Sequence, residues 1–195
     1  MKGEIIMLPS LEVEFKTLLT KEEYTRLMSR FKGNPIDVQT NHYLDTERFS
    51  LKATDTSLRI RERDTLELTF KRKKGYTMHD IREPLESNQL QEIRESGILP
   101  EGKIFEEVES IIGKQKLTNF MSLSTERMYF QYGNGIVFID KSTYLDETDY
   151  ELEYEARNYH DGKKEFIALL GDFKIKYKKS EKKIKRAYNA LKRLM

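Results

Sequence analysis

The 195-residue chain has no cysteine, no tryptophan, only four prolines and no long apolar run. Without cysteine there is no disulfide framework, no thiolate-held zinc, no iron–sulfur cluster and no cysteine nucleophile. The N-terminus lacks the apolar stretch of a signal peptide, and no later segment reaches the roughly 18 apolar residues that cross a bilayer. The chain therefore reads as soluble and cytoplasmic, with no membrane partner. An excess of one charge is missing too, since 35 Lys and Arg nearly cancel 33 Asp and Glu. A generic polyanion binder would carry a larger basic surplus, so no specific nucleic-acid partner is expected. Only the stretch from Lys174 to Arg193 is lopsided, and its apolar stripe suggests a docked helix with a solvated basic face.

What the sequence does contain is charge in alternation. Glu12, Glu14 and Lys16 alternate with Val13 and Phe15, so a strand would aim two carboxylates and an ammonium at one face. Glu151 and Glu153 alternate with Leu152 and Tyr154 in the same way, and Glu155 continues the series. Arg59 and Arg61 oppose Leu58 and Ile60; Lys71 and Thr69 oppose Leu68 and Phe70; Arg127 opposes Met128. Alternation alone fits a sheet with one wet face and one face against helices. The sorting of sign by strand, acidic on two and mainly basic on three, fits a site for a metal-bound polyanion. Carboxylates supply hard oxygen ligands, Arg a planar fork for phosphate oxygens and Lys a compact point charge.

Residues 1–10 carry little pattern and read as a disordered leader, leaving 11–195 as a single domain. Thr20 and Glu23 have capping-box spacing ahead of Tyr24, Leu27, Met28 and Phe31, which predicts a helix ending near Gly33. Strands are expected at 40–44, 57–63, 65–73 and 77–85, then a helical interlude over 87–113 broken near Gly97 and Pro100. Further strands are expected at 124–132, 136–143 and 150–157. A hairpin is expected at Gly133-Asn134-Gly135, a polar turn at 146–149, and helices at 163–171 and 180–194.

Taken in order, these elements resemble the CYTH family, also called triphosphate tunnel metalloenzymes. The E-x-E-x-K pattern is met by Glu12, Glu14 and Lys16, and Tyr-x-Asp-Thr by Tyr43, Asp45 and Thr46. Arg59 and Arg61 match the basic L-R-x-R strand, Lys71 the lysine of the next one, and Arg127 the T-x-R element. Asp140, Glu151 and Glu153 match the late acidic elements, and Lys183 with Arg186 and Ala187 the C-terminal K-x-x-R-[AG]. The resemblance implies an α+β fold, a closed eight-stranded antiparallel β-barrel forming a tunnel with surrounding helices.

It also implies divalent-metal-dependent hydrolysis of a triphosphate-containing small molecule. Class IV adenylyl cyclase, thiamine triphosphatase or a noncatalytic polyphosphate- or nucleotide-binding module are the alternatives. By the same resemblance Glu12, Glu14, Asp140, Glu151 and Glu153 would bind Mg²⁺ or Mn²⁺. Lys16, Arg59, Arg61, Lys71, Arg82, Arg127, Lys183 and Arg186 would hold phosphate. Glu14, Lys16 and Glu153 are the catalytic candidates, in a monomer or homodimer.

Overall fold

The computed structural model describes residues 13–75 and 77–194, so Glu12 and the expected leader lie outside the described residues. Eight strands and five α-helices follow one another: β1 (Val13–Leu19), α1 (Lys21–Arg30), β2 (Ile36–Asp45), β3 (Thr56–Glu62), β4 (Leu66–Lys74), β5 (Thr77–Leu85), α2 (Ser87–Ser96), α3 (Lys103–Ile112), β6 (Thr118–Tyr132), β7 (Gly135–Tyr144), β8 (Glu147–Ala156), α4 (Tyr159–Asp172) and α5 (Lys183–Leu194). They form one sheet in the order β1-β8-β7-β6-β2-β3-β4-β5. β1 pairs antiparallel with β8, and β2 to β5 pair antiparallel in succession.

Local chemistry accounts for the element ends. The Thr20 hydroxyl accepts from the Glu23 amide at 3.1 Å and the Glu23 carboxylate accepts from the Thr20 amide at 2.7 Å, so the capping box forms. Gly97 ends α2 at φ +72°, and a Cβ there would lie 2.6 Å from the Leu117 carbonyl oxygen. Both α4 and β8 start earlier than their patterns predict. α4 begins at Tyr159 because the Asn158 side chain accepts from the Asp161 amide at 2.9 Å. β8 begins at Glu147, so the expected polar turn at 146–149 is largely strand.

The described residues group into two compact units. One holds those up to Asp37 with Glu126–Ser142 and Thr148–Arg186; the other holds Val38–Thr125, Thr143–Glu147 and those from Ala187 onward. In the first, Leu27 of α1 and Phe166, Leu169 and Leu170 of α4 bury against Met128, Val137, Ile139, Leu152 and Tyr154 of the strands. In the second, Leu90, Ile93, Ile104, Val108 and Ile112 of α2 and α3 bury against Leu58, Ile60, Leu68 and Phe70. The helices thus take the apolar face in each unit. The charged face is not wet by default: Asp140 and Glu151 are fully buried, as are Leu152 and Tyr154 on the other side of β8.

Candidate functional site

In the first unit, β8 presents Glu151, Glu153 and Glu155 on one face, and β1 lies beside it with Lys16 opposite Glu153 and Glu14 opposite Glu155. Asp140 on β7 and Arg127 on β6 complete the strand contribution. Arg127 forks onto Asp140, its Nε and Nη2 at 2.7 and 2.6 Å from the two carboxylate oxygens, and also reaches Glu153. The Lys183 ammonium, at the start of α5, meets Asp140 at 2.7 Å and Glu151 at 2.8 Å and also contacts Glu153. Arg186, one turn on, bridges Asp149 at 2.8 Å and Glu151 at 3.1 Å. Lys16 pairs with Glu14.

The charges in this network are unevenly satisfied. Burial works to raise the Glu151 carboxyl, yet Lys183 and Arg186 hold it at about 2. Burial works to lower the Lys183 pKa, and the three carboxylates around it carry it above its usual value instead. Glu153 goes the other way: burial raises it, and the charges of Asp140 and Glu14 add to that despite Lys183 and Arg127. Glu155 is raised likewise, by burial and by Glu14 and Asp140 against the pull of Arg127. For Glu153 and Glu155, burial and like-charge neighbours therefore outweigh the cations beside them.

That deficit is the test of whether a cation fits. Among the described residues no three acidic or histidine side chains are already gathered around a cation position. The donor set is all carboxylate oxygen, however, and its like-charge repulsion is what a hard divalent ion relieves. Glu14, Glu153 and Glu155 would hold such an ion, Glu14 and Glu153 by giving up part of their contacts with Lys16, Arg127 and Lys183, whereas Asp140 and Glu151 stay held by Arg127, Lys183 and Arg186. The Arg186 fork is filled by Asp149 and Glu151, so this arginine orients Glu151 where the motif suggested a phosphate ligand.

The second unit carries the opposite imbalance. Cross-strand register sets Tyr43, Arg59, Thr69 and Arg82 in one row, Asn41, Arg61 and Glu67 in the next, and Ser57, Lys71 and Asp80 in a third. Pro84 pairs opposite Glu67, which leaves Arg82 in phase with Thr69 and Arg59. Arg61 donates from Nε to Asn41 at 3.3 Å, and neither Arg59 nor Arg61 has an ion-pair partner among the described residues. The Arg59 Nε is buried with no hydrogen-bond acceptor. Burial and the neighbouring Arg59 pull the Arg61 pKa down to about 10. A half-buried guanidinium pair without a counter-ion is an anion site by its electrostatics. Lys71 and Arg82 do have an acid between them, Asp80, at 2.7 and 3.4 Å.

Other candidates fall outside these clusters. Asp45 holds no arginine: its carboxylate accepts from the Thr46, Leu51 and Lys52 amides at 2.8 to 3.0 Å and pins the loop after β2. His42 is bonded to Ser122 and Glu62, a structural position. Sequence reasoning missed Asp149 as the partner of Arg186, although it continues the alternation of Glu151 and Glu153 two residues upstream. It also missed Ser180, which donates to Glu151 and has no pattern to announce it.

A CYTH domain model matches residues 10–188. Over 193 residues the chain is 34% identical to YjbK of Bacillus subtilis (strain 168), whose name proposes triphosphatase activity; the match covers 93% of this chain and 96% of that protein. The crystal structure of a Bacillus halodurans protein proposed to be an adenylate cyclase superposes with a TM-score of 0.78 at 31% identity, covering 89% of this chain and 95% of that one. HpAC1 from Hippeastrum, described as a proposed adenylyl cyclase with a dominant triphosphatase activity, superposes at 0.75 with 19% identity over 91% and 95% of the two chains, a likeness of fold.

Proposed function

The chain belongs to the CYTH domain family, and on that premise we propose that it is a divalent-metal-dependent hydrolase of triphosphate-containing substrates, inorganic triphosphate or a nucleoside triphosphate. The observation that carries the proposal is the half-buried Arg59–Arg61 pair, which has no counter-ion of its own. Lys16, Arg59, Arg61, Lys71 and Arg82 bind phosphate oxygens, and Arg127 and Lys183 help once their carboxylates are shared with a cation. Glu14, Glu153 and Glu155, with Glu12, hold the ion, and Asp140 and Glu151 fix Arg127 and Lys183. Mg²⁺ or Mn²⁺ suits these oxygen donors, and when bound it neutralises charge on the phosphate chain and on the leaving group.

Phosphoryl transfer asks the protein for position and charge, which a site without a covalent nucleophile can supply. Water attacks the terminal phosphorus as the bond to the bridging oxygen breaks. Glu14 takes the water's proton while Lys16 steadies it, and Glu153, whose carboxyl burial raises above its usual value, is the second catalytic carboxylate. Arg59 and Arg61, assigned to phosphate by the family pattern, meet the charge that collects on the departing diphosphate or nucleoside diphosphate.

The test is phosphate release from tripolyphosphate or ATP with Mg²⁺ or Mn²⁺. Turnover no higher than that of a Glu151→Gln, Glu153→Gln variant would sink the reading. The Bacillus halodurans likeness keeps cyclisation as a second reading, and chromatography of the products from ATP separates the two. ADP with phosphate means hydrolysis; cyclic AMP with pyrophosphate means cyclisation.

A further inference from the structure

Asp80 is the one acid of the second unit's charged face that joins two of its cations, Lys71 at 2.7 Å and Arg82 at 3.4 Å, among the described residues. All three side chains are partly exposed, the Asp80 carboxylate at 34%, and exposed pairs of this kind contribute little to folding. Burial works to raise its carboxyl, but hydrogen bonds from Lys71 and Arg82 hold it below the ordinary aspartate value. The carboxylate therefore stays charged between the two cations. Arg59 and Arg61, one and two rows along the register, make no ion pair among the described residues, although Glu67 lies opposite Arg61.

We propose that Asp80 is an internal stand-in for phosphate that gauges ligand length: a short anion rests on Arg59 and Arg61 without meeting it, whereas a longer phosphate chain gains Lys71 and Arg82 only by displacing it. Successive rows on one face lie about 6.6 Å apart along a strand, so the Lys71 row is beyond the reach of a single phosphate seated between the two arginines. The repulsive element acts on the longer anion alone: a chain that reaches the Lys71 row binds there only if it brings enough charge to displace the Asp80 carboxylate. The inference rests on reading the Arg59 face as a phosphate site.

Calorimetric titration of tripolyphosphate and of orthophosphate in metal-free buffer tests it, with wild-type protein, Asp80→Asn, and Glu101→Gln as an equal change of net charge at an exposed site. Removing Asp80 should tighten tripolyphosphate about tenfold and change orthophosphate less than about twofold, with Glu101→Gln like wild type and all three melting alike. Wild-type binding that Asp80→Asn leaves unchanged, or an equal gain for both anions, would overturn the gauge and spare the phosphate site. If folded wild-type protein and Asp80→Asn both ignore tripolyphosphate, the site and the gauge fall together.

Discussion

Arg59 and Arg61 cost the fold more than they return. A guanidinium drawn out of water without a counter-ion is unfavourable, and the downward pull on Arg61 expresses that cost. Replacing Arg61 by Met should therefore leave the melting temperature unchanged or raise it, while weakening tripolyphosphate about tenfold or more through the loss of a charge-assisted contact. Parallel thermal melts and titrations check this; lower stability with unaltered binding would make Arg61 a structural residue. Arg127 predicts the reverse balance. Its fork satisfies Asp140, which is fully buried. Arg127→Ala leaves Lys183 as that carboxylate's remaining ion-pair partner among the described residues, and a loss of about 3 kcal/mol is expected in urea unfolding. Arg59, Arg61 and Arg127 were legible as phosphate candidates from the sorting of charge by strand and from the family resemblance. What alternation could not separate is the arginine already neutralised by the fold from the pair left open, because that depends on which strand lies beside each.

At the level of elements, α4 positions β8, and Gly162 sets how closely they approach. A Cβ on Gly162 would lie 2.4 Å from the Ala156 Cβ and 2.9 Å from a Phe15 ring carbon. Gly162→Ala should push the helix off β1 and β8 and destabilise the fold by about 1–3 kcal/mol, read as a lower denaturant midpoint with little change in slope. Stability equal to wild type would mean that the helix can shift at no cost. The same glycine explains why the start of α4 was not legible: it sits in the first turn, where helix propensity is poor, and hides the cap made by Asn158. β3 and β4 were read nearly to the residue, since Leu58, Ile60, Leu68 and Phe70 alternate cleanly and are buried. β2 and β6 begin earlier than expected. The first residues of β2 carry Ile36 and Val38 exposed, so their alternation marks no core face, and the polar Thr118 and Asn119 hide the start of β6.

Taken as a whole molecule, the chain is nearly neutral, with a formal charge of +2, and its chemistry lies in how that balance is divided. Neither the pairing of Lys183 and Arg186 with carboxylates some thirty residues upstream nor the raised carboxyls of Glu153 and Glu155 could be read from the sequence, since both arise only when distant segments pack. The raised carboxyls predict how stability answers to metal and to acid. A carboxyl whose folded pKa is raised costs stability at pH above that value, and the cost is relieved either by a proton or by a cation. Divalent ion at a hundredfold excess over its Kd should add about 2.7 kcal/mol, or about 5–10 °C in melting temperature for a chain of this size. The gain should be largest at neutral pH and shrink on acidification as Glu153 and Glu155 take up protons in place of the ion. Glu151 has the opposite sign: its carboxyl is held down from 4.5 to about 2, so its contribution is complete above pH 4.5 and lost as the pH falls toward 2. Melts with EDTA and with Mg²⁺ or Mn²⁺ across about pH 5 to 8 therefore read the metal effect while the Glu151 contribution stays constant, and metal-free melts below about pH 4.5 read the Glu151 loss. A metal-induced gain that a Glu153→Gln, Glu155→Gln variant retains in full would assign the ion to other ligands.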